Sequence, residues 1–103
     1  MGFFDLKIII RETEVYQKWF KKLKDKTVRI AIFKRLMKIR HFNHFGDAKP
    51  VSDNIYELRI HCGAGYRIYY TIRKKEVILL LCGGDKSSQK KDIEKAIKIS
   101  MEV

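Results

Sequence analysis

Residues able to handle a phosphodiester fall at alternate positions of two neighbouring segments. Arg59 and His61 lie in IYELRIH (55–61); Arg67, Tyr69 and Arg73 lie in YRIYYTIR (66–73). Side chains alternate between the faces of a strand, so each set shares one face. If the segments pair as a hairpin, all five gather on one open face. A guanidinium fork binds phosphate through paired hydrogen bonds and keeps its charge. A tyrosine stacks on a base, and a histidine titrates near neutrality and moves protons. Exposed strand faces also tolerate Arg and Tyr without any function.

Further candidates flank these strands. The turn Gly83-Gly84-Asp85-Lys86 carries Lys86 to the sheet edge, beside a helix start whose amides favour anions. A plain strand-to-helix turn uses flexible glycines as well. Asp92 falls in the first turns of that helix, where a carboxylate suits the macrodipole with or without chemistry. His44 is a second candidate base, although most such histidines are ordinary surface residues. Cys62 and Cys82 form no C-x-x-C pair and read as free thiols on strands. No His/Cys spacing suggests zinc.

The elements that must position these residues follow from periodicity. DLKIIIR (5–11) reads as a strand. Thr13 is a helix N-cap, and Tyr16, Trp19, Phe20 and Leu23 make an amphipathic stripe at i, i+3, i+4 and i+7. A break at 25–27 leads to a second helix over 27–41, lined by Val28, Ala31, Ile32, Leu36 and Ile39. Ile30, Phe33 and Met37 widen its apolar surface beyond one stripe. The short break makes an antiparallel helical hairpin. Residues 42–54 read as a loop punctuated by Gly46, Pro50 and Asn54. Strands at 55–61, 66–73 and 76–82 come next with tight turns, which is an antiparallel meander. The third is apolar almost throughout and should be central and covered. A final helix spans about 87–100. The expected fold is α+β: a four-stranded antiparallel sheet, an N-terminal helical hairpin packed on one face and a C-terminal helix, ordered β-α-α-β-β-β-α.

The chain has 103 residues, enough for one domain (1–103), and its 46% apolar content argues against disorder. Twenty-three Lys and Arg against twelve Asp and Glu give a net charge of +11. A folded domain this basic attracts polyanions, with nucleic acid the default partner. No signal-peptide pattern is visible, and no apolar run is long enough to cross a bilayer, so a cytoplasmic location and no membrane association are expected.

The strings YELRIHCGAGYRIYY and VILLLCGGDKSSQKKDIEKA, together with GDAKPV, resemble the RelE/ParE superfamily of toxins from bacterial toxin–antitoxin modules. The likeness is greatest to the small HigB-like branch, also called addiction module killer or phage Gp49-like proteins, and runs from the first strand to the last helix. It implies the RelE-like form of the fold above. It also implies a metal-independent, cofactor-free endoribonuclease, a ribosome-dependent mRNA interferase. In that chemistry a ribose 2′-hydroxyl attacks the adjacent phosphate. The enzyme must then remove a proton and stabilise a dianionic phosphorane.

The resemblance also implies roles. Arg67 matches the family's strand arginine and would clamp the scissile phosphate. Arg59 falls at a basic strand position, offset by one residue of turn length. Lys86 lies where relatives place a cation after the last strand. Tyr69, Arg73 and Lys49 are expected substrate contacts. Where RelE-like enzymes place a tyrosine near the C-terminus, this chain has Asp92, so Asp92 or His61 is the expected proton-transfer group. The missing tyrosine leaves a ParE-like, non-catalytic inhibitor of DNA gyrase as the alternative, and a plain basic nucleic-acid-binding module as a third reading. Either toxin reading implies a cognate antitoxin, typically a helix-turn-helix protein, with mRNA and the ribosome as targets and operator DNA as a ligand of the toxin–antitoxin complex.

Overall fold

The computed structural model describes residues 8–75 and 77–103. Residues 5–7 of the expected first strand and Glu76 of the last lie outside them.

The first described strand, β1, is Ile9–Glu12. Thr13 caps α1 (Glu14–Lys22), its hydroxyl accepting the Tyr16 amide at 3.1 Å. Asp25 caps α2 (Lys26–Phe42) through the Thr27 amide at 2.9 Å, and Asn43 ends it in the left-handed region at φ 52°. Then come β2 (Ala48–Ser52), β3 (Ile55–Ile60), β4 (Tyr66–Arg73) and β5 (Val77–Gly84). A single 3-10 turn (Lys86–Ser88) leads into α3 (Gln89–Glu102).

The sheet corrects the expected one in two ways. Among the described residues it has five strands, in the order β1-β5-β4-β3-β2. The stretch read as a loop contains β2, which pairs antiparallel with β3. Pro50 is tolerated there because β2 is an edge strand, where a missing N–H costs no ladder bond. The sheet is also mixed, since β1 runs parallel to β5, with Ile9 opposite Val77 and Glu12 opposite Leu80. α1 and α2 carry the chain from β1, beside the last strand, to β2 at the opposite edge of the sheet. The meander β3-β4-β5 is antiparallel as read.

Helices cover both faces, so the second face is far less open than the sequence suggested. Tyr16, Val28, Ile32 and Ile39 of the hairpin bury themselves against Leu58, Ile68, Tyr70 and Leu80. On the opposite face α3 sets Ala96 against Ile55, Tyr69, Leu81 and Cys82. Each fully buried large aliphatic side chain here is worth about 1.5–3 kcal/mol. The face of α2 turned away from the sheet leaves Ile30 and Phe33 exposed.

A bulge in β5 sets which residues after it face which helix. Tyr69 pairs with Cys82 but Tyr70 pairs with Leu80, so Leu81 is an extra residue. Leu81 and Cys82 are both buried on the α3 side. Among the described residues, no helix is long and apolar enough to cross a membrane.

Candidate active site

At one end of the sheet, β3, the 62–65 turn, β4 and the segment after β5 enclose a cleft of about 250 Å³. Arg59, Ile60, His61, Gly65, Tyr66, Arg67 and Lys86 line it. Four of the residues expected to do chemistry, Arg59, His61, Arg67 and Lys86, therefore meet here.

Arg59 and Arg67 are direct partners in the β3–β4 ladder. Like charges directly opposite each other on neighbouring strands repel. The neighbour that removes the conflict is Glu57, two residues before Arg59 on the same face and fully buried. Its Oε1 accepts from Arg59 Nε at 2.9 Å. Its Oε2 accepts from Gln89 Nε2, the first residue of α3, at 2.8 Å. The same oxygen lies 3.5 Å from Arg67 Nε, an ion pair without a formed hydrogen bond. The hydrogen bond to Glu57 raises the pKa of Arg59 further. Arg67 is only 11% exposed in its side chain and donates through one terminal nitrogen to the Gly65 carbonyl at 2.7 Å. Gly65 sits at φ 73°, a conformation that suits glycine.

His61 stands at the mouth of the cleft and its Nε2 pairs with Asp47 Oδ2. That hydrogen bond holds the Asp47 carboxyl below its ordinary pKa. The segment carrying Asp47 is fixed from α2. The Arg35 guanidinium donates to the carbonyls of Arg59, Phe45 (2.7 Å) and Asp47 (3.2 Å). Burial lowers the Arg35 pKa. Lys86 is exposed at the rim, in a turn capped by Asp85, whose Oδ1 accepts the Ser87 amide at 2.8 Å. Tyr66 forms part of the floor and meets Trp19 edge-on, ring centroids 6.3 Å apart.

The remaining candidates lie elsewhere. Tyr69 is on the same strand face as Arg67 but is completely buried beneath α3, where it has no access to a base. Its hydroxyl is buried without a hydrogen-bond partner among the described residues, and burial raises its pKa. Arg73 sits at the far end of β4 and clamps the C-terminus of α3, donating to the carbonyls of Val103 and Ser100 (2.8 Å to the latter). Lys49 is exposed on β2, opposite Glu57 in the ladder, and does not line the cleft. The Asp92 carboxylate accepts from Ser88 Oγ at 2.5 Å and lies against the Gly84 backbone, also outside the cleft lining. His44 is exposed at the end of α2. Cys62 is a free thiol in the turn rather than on a strand, and Cys82 is a buried free thiol on β5.

Glu57, Asp47, Gln89 and Tyr66 were missed as site residues. Glu57 carried a visible signal, since its i−2 spacing from Arg59 puts it on the arginine face. Asp47 and Gln89 carried none, because their partners are 14 and 32 residues away.

This mixed five-stranded sheet, with α1 and α2 on one face and α3 on the other, is the fold of the toxin RelE. A doubly substituted mutant of the E. coli toxin RelE in the free state matches with a TM-score of 0.71 at 22% identity, over 89% of this chain and 96% of that one. RelE in the intact E. coli RelBE toxin–antitoxin complex matches at 0.63 and 21%, over 76% and 95%. The chain belongs to the family described as phage derived protein Gp49-like (DUF891), whose model matches residues 18–101. An uncharacterized protein of Haemophilus influenzae is 42% identical over 96 residues, covering 93% of this chain and 96% of its own length.

Proposed function

We propose that this protein is the toxin of a type II toxin–antitoxin module, of the HigB-like kind, and that it cuts ribosome-bound mRNA in the cytoplasm without a metal. The observation that carries this is the meeting of Arg59, Arg67, Lys86 and His61 around one cleft. The two guanidinium groups and the ammonium supply fixed positive charge where a phosphorane dianion would develop. His61, oriented by Asp47, accepts the proton of the attacking 2′-hydroxyl. The 2′-oxygen bonds to phosphorus, the bond from phosphorus to the 5′-oxygen breaks, and that oxygen takes a proton from solvent. Tyr66 is the aromatic ring available to a base in place of Tyr69.

A cognate antitoxin is the expected protein partner. The solved RelBE toxin–antitoxin complex, which shares this fold, supports that partner class. A helix-turn-helix antitoxin encoded next door would also give the complex its affinity for operator DNA.

Induction of the protein should arrest growth and leave transcripts truncated at ribosome-occupied positions. Lys86→Ala and Arg67→Ala should each slow cleavage by about 10²–10³-fold, as loss of one transition-state charge partner does. Growth arrest with intact transcripts and an SOS response would reject this reading and move the target to gyrase.

A further inference from the structure

We propose that Glu57 and Gln89 are positioning residues for the arginine pair, acting through Arg59 and Arg67 rather than on the substrate. This deepens the RNA-cleavage reading, and its kinetic arm rests on it. An ionised carboxylate with no exposed surface is costly unless donors surround it. Glu57 has Arg59 on one oxygen, and Gln89 with the nearby Arg67 on the other. Both oxygens are therefore engaged inside the protein, and neither is offered to the cleft.

The contact chosen on each arginine is informative. Glu57 faces Nε, the inner nitrogen, on both side chains: it accepts a hydrogen bond from that of Arg59 and holds that of Arg67 by charge alone, at 3.5 Å without a hydrogen bond. A guanidinium has five N–H donors in a rigid fork, so fixing Nε orients the terminal nitrogens without consuming them. On Arg67 one terminal nitrogen is anchored to the Gly65 carbonyl. On Arg59 both terminal nitrogens are without a hydrogen bond among the described residues. The outward-facing donors of two mutually repelling side chains are thus set by one hidden charge. Gln89 closes the arrangement from above, joining the first residue of α3 to the same carboxylate. Without the negative charge, register-paired arginines would turn apart towards solvent.

Glu57→Gln keeps the shape of the side chain and removes its charge; Gln89→Ala removes only the strut. Two readouts separate positioning from mere folding: single-turnover cleavage of ribosome-bound mRNA, resolved into kcat and KM, and the NMR Nε–Hε lines of Arg59 and Arg67 in the free protein. Glu57→Gln should lower kcat by about 10²-fold, the size of a small misplacement of reacting groups. KM should stay within about threefold, because every cationic group that attracts RNA is kept. Both arginine lines should move towards the position of solvent-exposed arginines. Gln89→Ala should shift the same lines in the same direction, less far. Unmoved lines in both variants, or wild-type kcat in both, would overturn the proposal. If the wild type leaves RNA intact, cleavage is rejected and the NMR lines alone decide positioning. If Glu57→Gln fails to fold, the lines of Gln89→Ala decide it in the same way.

Discussion

Replacing Gly83 by alanine should unsettle the molecule out of proportion to one methyl group. Gly83 lies beneath the indole of Trp19, and an added Cβ would sit 2.5 Å from ring atoms Cδ2 and Cζ3. Carbon atoms in comfortable contact are about 3.5–4.0 Å apart, so the ring must recede by roughly 1 Å or more. An indole is rigid, and Trp19 is wedged between Tyr16 and Tyr66, at centroid distances of 5.7 and 6.3 Å. Overpacking of this kind costs about 1–3 kcal/mol, and the lack of a flexible neighbour argues for about 2–3. For a domain of this size that is a fall in Tm of roughly 8–15 °C. Gly84→Ala is the natural comparison. Its Cβ would press on the Asp92 carboxylate and lie 2.9 Å from Ser88 Oγ, both ends of side chains that can swing away. It should cost less, and break the Ser88–Asp92 bond. Urea and thermal unfolding of the two variants would measure the difference. A Tm change below about 2 °C in Gly83→Ala would refute the reasoning, since α1 would then slide freely on the sheet.

The same contacts fix three further outcomes. The Cys82 thiol, buried and with its pKa pushed up to about 12, should resist alkylation in the native protein while half-buried Cys62 labels; mass spectrometry after brief iodoacetamide treatment reads this directly. Asp47 should titrate below its ordinary value of 3.8, so the order it gives the His61 pair is complete above the ordinary carboxylate range and is lost only as pH falls through the lowered value; His61→Ala should raise the NMR midpoint, and an unchanged midpoint would count against the pair. If Arg59, Arg67 and Lys86 are the phosphate contacts, log binding constant for single-stranded RNA should fall with log salt at a slope of about −2, and Lys86→Ala should flatten it by about 0.7.

The parts of this fold legible in the sequence are those whose neighbours are close along the chain. The stripe of Tyr16, Trp19, Phe20 and Leu23 announces α1, and the alternation in 55–60 and 66–73 announces a hairpin whose register follows from its short turn. That hairpin alone brings Arg59 opposite Arg67, which is why the centre of the site is readable from local pattern. Edge strand β2 was hidden because Pro50 and polar neighbours look like loop, and only pairing with β3 makes the segment extended. The parallel pairing of β1 with β5 joins residues 68 positions apart, which no local pattern encodes. Tyr69 is the instructive failure. Alternation told correctly which face it shares with Arg67 but could not tell that Ala96 and its helix would cover it. Arg73 failed similarly: expected to contact substrate, it is spent on backbone carbonyls at the end of α3.

The bulge at Leu81 keeps the two sides of the molecule in step. Up to Leu80, even-numbered residues of β5 face the helical hairpin. Leu81 is taken out of the count, so Cys82 faces α3, Gly83 meets Trp19 and Gly84 meets Asp92. Had the alternation run on unbroken, Gly83 and Gly84 would trade sides and the chain would leave the sheet half a turn out of phase. Lys86, two residues later, would then be delivered to a different side from its arginine partners. Shortening β5 by deleting Leu81 should therefore preserve this phase and sacrifice only one buried side chain, whereas a residue added between Cys82 and Lys86 should disperse the charge cluster while leaving every member of it in the sequence.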